Sequence, residues 1–295
     1  MFVCHNNGDA RMSEFGNPAS IGNAQYLRMD IFERTNGDDP LPHTVGEFQT
    51  APHLVDENGF FSTGLMISMV DSIGGMTSGL ASLPDWIVTT NLAFRRTSNM
   101  LTPSGTTIEF SAQVLRRGRS SVVTRIDARS NEIHLGTGWL SCAVLTPENG
   151  PPPFQRPVRP MQRPPVTDPD FFVEPFSFFN LERNDDHSVS LRIIDRLRNP
   201  WGILHGGSMA FLLDTAACDA VARATKSEND KRPIVSEAMI HYLAPGRVGP
   251  VTAKAEIIGI PRVGNHAHVV KVEVHDEGAD NRLVTLAEIT VESTF

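Results

Sequence analysis

The stretch NPWGILHGGSMAFLLD, residues 199–214, sets a His-Gly-Gly triplet at the head of an apolar run and an aspartate nine residues after the histidine. Carried on to Thr225, the segment from Gly206 has helical length, with apolar side chains nearly all round its first half. A helix of that kind is buried on most of its faces. Rising about 1.5 Å per residue, it separates His205 from Asp214 by roughly 13 Å along its axis. The two cannot work on one small group together, so each needs a partner from elsewhere in the chain.

A partner emerges when the chain is laid on itself with Asp71 over Asp214, an offset of 143. NGFFSTGLMISMVDS (58–72) then faces WGILHGGSMAFLLDT (201–215), matching Gly59 with Gly202, Gly64 with Gly207 and Met66 with Met209. The first copy has Ser62 and Thr63 where the second has His205 and Gly206. Beyond each expected helix (64–81 and 206–225) the order of elements also repeats: a strand (88–96; 235–243), a Pro/Gly turn, then a hairpin. The hairpins alternate, with Ile108, Phe110, Ala112 and Val114 on one face in the first copy, and Val270, Val272 and Val274 against Lys271, Glu273 and His275 in the second. Alternation means one wet face. A long buried helix followed by such a sheet predicts an α+β unit in which the sheet curls round the helix.

Length and composition agree with two such units. At 295 residues, with 40% hydrophobic and 20% charged residues, the chain is long enough for two ordinary domains. Nine prolines between 147 and 170 exclude a helix or central strand there. The expected organisation is a tail at 1–23, an N-terminal unit at 24–147, a proline-rich linker at 148–170 and a C-terminal unit at 171–295. A net charge of −8 leaves no basic surplus for a nucleic-acid partner. Cys4, Cys142 and Cys218 form neither a disulfide framework nor a zinc pattern. His266 and His268 share a strand face without a third metal ligand at suitable spacing, so no metal or other cofactor is expected. With no signal-peptide pattern and no apolar run of about 18 residues, a cytoplasmic protein without membrane insertion is the expectation.

Asn199, Gly202, His205-Gly206-Gly207 and Asp214, with Tyr242 and Pro245 in HYLAPG (241–246), resemble the hotdog-fold acyl-CoA thioesterases of the phenylacetyl-CoA thioesterase type. The C-terminal copy carries the whole signature and the N-terminal copy a degenerate one. The resemblance implies a double hotdog, two fused units in place of the usual dimer, with each site built between the units. That agrees with the helix geometry, which needs the helix start of one copy and the aspartate of the other, on helices packed antiparallel.

One composite site then joins Asn199, His205 and Gly206 to Asp71 and is complete. The other joins Asp56, Ser62 and Thr63 to Asp214 and has lost its Asn and His-Gly. In an attack on a thioester, the Gly206 N–H at a helix start would hold the oxyanion. Asp71 would serve as base or nucleophile. Asn199 would orient the water or the carboxylate, and His205 would position the loop or the thioester. Arg95, Arg96, Arg117, Arg119 and Arg262 are the candidates for the phosphates of coenzyme A, the expected substrate carrier, with an acyl-carrier protein as the other. Association of chains into a homo-oligomer fits the resemblance. A hotdog hydratase expects an aspartate five residues before its histidine, and position 200 is proline. A non-catalytic acyl-CoA-binding protein is the remaining rival. It predicts that the pairing of Asp71 with His205 is accidental, and an Asp71 carboxylate far from the Gly206 amide would defeat the catalytic reading.

Overall fold

The computed structural model describes residues 26–27, 30–34, 41–56, 59–99, 102–145, 172–199, 201–225, 233–259 and 266–293. The tail, the whole proline-rich linker and Arg262 lie outside the described residues. Two long helices carry the interior: α1, Thr63–Leu80, and α2, Gly206–Thr225. Ser62 caps α1, its Oγ accepting the Leu65 N–H at 3.2 Å. Both helices are buried on nearly every face, as their apolar spacing predicts. The hydroxyls on α1 are accommodated by donating back to carbonyls four residues earlier, Ser72 to Ser68 and Thr77 to Ile73.

The strands are β1 Asp30–Arg34, β2 His43–Gln49, β3 Trp86–Arg96, β4 Thr107–Arg117, β5 Ser121–Ser130, β6 Ile133–Leu145, β7 Leu181–Arg183, β8 Val189–Leu191, β9 Ile234–Tyr242, β10 Val251–Ile257, β11 Ala267–Asp276 and β12 Arg282–Glu292. They form one antiparallel sheet in the order β1-β2-β4-β5-β6-β3-β9-β12-β11-β10-β8-β7. The centre of that sheet is the pairing of β3 with β9, where Ala93 stands opposite Met239. The alternating hairpins point Ile108, Phe110, Ala112 and Val114, and likewise Val270, Val272 and Val274, into the core against the helices. Lys271 stays on the outer face, 3.1 Å from Glu256. No described helix is long and apolar enough to cross a membrane.

Two local details recur on either side of the central pairing. Strand β3 carries a bulge at Thr90 against β6, and β9 carries one at Ser236 against β12. The loop before each helix closes the same way. Asp56 Oδ1 accepts the Phe60 N–H at 2.8 Å, and Asn199 Oδ1 accepts those of Trp201 and Ile203 at 3.0 and 3.4 Å. Gly59 and Gly202 occupy the same turn position at φ 76° and 68°, a conformation that disfavours a side chain.

Helices α1 and α2 touch near their starts. A Cβ at Gly64 would fall 2.6 Å from the Asp214 Cβ and 3.1 Å from the Phe211 Cα, and one at Gly206 would fall 2.8 Å from Asp71 Oδ2. Each helix start therefore meets the middle of the other helix, which requires an antiparallel crossing. Gly64→Ala is expected to lower stability by about 1–3 kcal/mol through overpacking, measured by denaturant unfolding.

Candidate active site

Asp71 lies mid-helix in α1 and is 6% exposed, an expensive place for a carboxylate without partners. It has three. The Gly207 N–H, at the start of α2, donates to Oδ2 at 2.9 Å. The Thr89 hydroxyl, on β3, donates to Oδ1 at 2.9 Å. His205 Nδ1 stands 3.2 Å from Oδ2 and donates to it when that nitrogen carries the proton, the Gly207 N–H then belonging to Asp71 alone; the 3.0 Å between Nδ1 and the Gly207 nitrogen is a hydrogen bond only in the other tautomer. The helix start concentrates unpaired N–H groups and positive potential on the carboxylate.

The neighbouring amide is left over. Among the described residues nothing accepts the Gly206 N–H. Its carbonyl is taken by the Tyr242 hydroxyl at 3.1 Å. Burial, with the Asp71 charge adding to it, pushes the Tyr242 phenol well above its ordinary pKa and keeps it a donor. Behind Asp71, burial raises the Cys142 thiol to about 12, and the Asp71 charge works in the same direction. That thiol is inert.

These groups open onto a cavity of about 470 Å³, lined by Asp71, His205, Gly206, Asn199 and Tyr242 together with a mainly apolar wall. Asn199 is on the lining, but its side-chain oxygen is spent on the N–H groups of its own loop. Among the described residues Arg247 is the only arginine on the lining. Its loop is pinned by Asp276, which accepts the N–H groups of Arg247, Val248 and Gly249 at 2.8, 3.0 and 2.8 Å.

Around Asp214 the arrangement is different. Thr63 donates to the Val235 carbonyl at 2.6 Å, and Ser62 is a helix cap. Arg96, six residues beyond the Thr90 bulge as Tyr242 is six beyond Ser236, extends inward over the start of α1. Its guanidinium donates to the Phe61 carbonyl at 3.1 Å, the Thr63 hydroxyl at 3.3 Å and the Ser98 carbonyl at 2.9 Å, with the Phe60 ring 4.3 Å away. Burial lowers its pKa to about 10 while the Asp214 charge opposes the fall. A second cavity of about 400 Å³ beside it is lined by Asp56, Phe60, Ser62 and Thr215 but not by Asp214.

Among the arginine candidates the geometry corrects Arg96. Arg96 is 6% exposed and engaged with backbone carbonyls, so it cannot meet a phosphate. Arg95 sits on the outer face of the sheet, paired with Glu237 at 2.8 Å, and Arg117 donates to the Ala81 carbonyl at 3.2 Å. Neither they nor Arg119 line the cavity that holds Asp71. Thr89 and Gly207 were missed as partners of Asp71. Gly207 stood in the quoted motif, whereas nothing in VTTNLAFRR distinguishes Thr89 from its neighbours.

Residues 202–281, which contain the His-Gly-Gly segment, match the sequence profile of the thioesterase superfamily. A curated relative, the 1,4-dihydroxy-2-naphthoyl-CoA hydrolase of Listeria monocytogenes, is 29% identical over 103 residues, 35% of this chain and 78% of its own. The solved structure of the tesB protein of Mycobacterium avium subspecies paratuberculosis superposes with a TM-score of 0.60 at 11% identity, covering 92% of this chain and 98% of that one. A protein with hot dog fold from Alicyclobacillus acidocaldarius superposes at 0.56 with 12% identity, over 90% and 96% of the two chains. The hotdog fold with a large antiparallel sheet follows, and the resemblance to hotdog thioesterases holds.

Burial by itself pushes the Asp276 carboxyl up, but the backbone N–H groups of Arg247, Val248, Gly249 and Gly278 outweigh it and hold it below the ordinary carboxylate range. A lowered folded pKa gives stability that is present above the unfolded value of about 4 and is lost as pH falls through the folded value. Thermal melts between pH 7 and 3 are expected to show the wild type well above Asp276→Asn at neutral pH, with the gap closing in acid.

Proposed function

We propose that the chain is a double hotdog that hydrolyses an acyl-CoA thioester at one composite site between its two units. The observation that carries this reading is the Asp71 carboxylate of one helix held by the Gly207 N–H of the other, with the adjacent Gly206 N–H unfilled on the cavity wall. The matching bulges, loop closures and helix starts on either side of the β3–β9 pairing support two fused units.

The substrate carbonyl oxygen would accept the Gly206 N–H, where the helix start stabilises the negative charge that develops on it. Asp71 acts as general base, since donors on both of its oxygens resist the movement needed to bond to carbon. It takes a proton from water as the oxygen attacks, the tetrahedral intermediate expels the CoA sulfur, and Asp71 returns the proton to that thiolate. One water is consumed, and a free acid and a thiol leave. His205 and Thr89 fix the carboxylate's orientation. Arg247 is placed to meet the anionic end of the carrier.

The site around Asp214 is non-hydrolytic, because Arg96 occupies the helix start and the aspartate does not face its cavity. A thiol-release assay across acyl-CoA chain lengths tests the assignment. Asp71→Ala is expected to lower kcat by about 10²–10⁴-fold, the usual worth of a general base. Asp214→Asn is expected to leave turnover within a few-fold. The reverse order would sink the site assignment. For Arg247→Ala, a KM raised several-fold with kcat unchanged is the expected result of losing a charge-assisted contact to the carrier.

A further inference from the structure

The peptide unit joining Gly206 to Gly207 is engaged at both of its polar ends. Its N–H, that of Gly207, donates to Asp71 Oδ2 at 2.9 Å, and its carbonyl, that of Gly206, accepts the Tyr242 hydroxyl at 3.1 Å. Hydrogen bonds in line polarise one another, so a donor on a peptide oxygen makes the N–H of the same peptide a stronger donor. Phenol, peptide and carboxylate thus form one chain of two hydrogen bonds that ends on the buried charge.

Tyr242 has no hydrogen bond to Asp71 itself among the described residues. It lines the cavity from the end of β9, opposite Thr285 of β12, and its hydrogen stays available because burial and the Asp71 charge disfavour the phenolate. At the other helix start the matching strand position carries Arg96, which donates to the Phe61 carbonyl and the Thr63 hydroxyl and covers that start. The phenol reaches a carbonyl instead and leaves the neighbouring Gly206 N–H open.

We infer that Tyr242 is a positioning residue for the hydrolytic carboxylate, acting through the Gly206–Gly207 peptide to strengthen the Gly207 N–H bond to Asp71 and to hold that peptide's plane. The inference rests on the hydrolase reading above. A stronger donor favours the charged form of a carboxylate, so Tyr242 extends toward acid the range in which the base is ionised. The titratable groups around Asp71 are His205 at the start of α2, Cys142 of β6 and Tyr242 of β9, with Arg247 on the same cavity lining. His205 stands 3.2 Å from the carboxylate, so the acid limb of kcat/KM belongs to the Asp71–His205 pair. A less stabilised carboxylate binds a proton more tightly and also holds one more tightly on His205, so the limb moves the same way whichever member titrates.

The test compares wild type with Tyr242→Phe, which keeps the ring and removes the hydroxyl, using the acyl-CoA that wild type turns over fastest. The acid limb is expected to move up by roughly 0.2–0.6 of a pH unit, a fraction of one charge-assisted hydrogen bond. A kcat lower by about 2- to 10-fold with KM little changed accompanies it. In protein carrying isotope-labelled glycine, the Gly207 amide proton moves upfield as its hydrogen bond weakens. Incorporated 3-fluorotyrosine, a stronger phenol donor, reaches two sites in this chain, Tyr26 and Tyr242, of which Tyr242 alone donates to the Gly206 carbonyl; it is expected to shift the limb and the amide the opposite way. A Tyr242→Phe variant whose limb and Gly207 amide stay at their wild-type values, whatever happens to kcat, overturns the inference and leaves hydrolysis standing, as do shifts of the same sign in both variants. Absence of thiol release from every acyl-CoA overturns hydrolysis, and the Gly207 amide shift then decides the inference without turnover.

Discussion

The amide of Gly207 against the carboxylate of Asp71 is the contact on which the rest of the arrangement turns. It ties the start of α2 to the middle of α1, and it needs both backbones close enough that a Cβ at Gly206 would lie within 2.8 Å of the carboxylate. A glycine at each helix start allows that approach, and the antiparallel crossing of the helices sets how the sheet must wrap them. The charge of Asp71 is tolerated at 6% exposure because a helix start, a hydroxyl and an imidazole surround it. Structure and chemistry thus lean on one hydrogen-bonded pair.

The same crossing produces a mirrored contact, Gly64 against Asp214, and there the chain has gone another way. Arg96 fills the position that Tyr242 holds in the other half, and its cation sits in the field of Asp214. Three oxygens take hydrogen bonds from its Nε and Nη1, while Nη2 is buried without an acceptor among the described residues. The start of α2 thus keeps an unfilled N–H on its cavity, whereas Arg96 covers the start of α1.

The open pocket owes its shape to segments that are not themselves part of the carboxylate cluster. Asp276 anchors the loop bearing Arg247, Asn199 anchors the loop bearing Trp201, and both do so with side-chain oxygens turned to backbone N–H groups. Polar residues near a site commonly divide in this way, some facing the substrate and some holding the loops that do. Sequence position does not tell them apart, which is how Asn199 reads as a water-orienting group from its spacing and as a loop closure from its bonds.

Much of this was legible in the residues alone. The two helices, the alternating hairpins and the pairing of Asp71 with the second helix start follow from periodicity, an internal offset and the rise of a helix, all local or repetitive properties. Strands β6 and β12 and the short edge strands were not distinguished by pattern. Only the tertiary structure joined the strands into one sheet through β3 and β9, drew Arg96 inward from an apparently solvated strand end, and enlisted Thr89 and Gly207 at the carboxylate. The physical reason is common to all three. Periodicity records which face of an element is buried, while which long side chain or backbone amide meets a given charge depends on how elements distant in sequence cross, and no local pattern carries that.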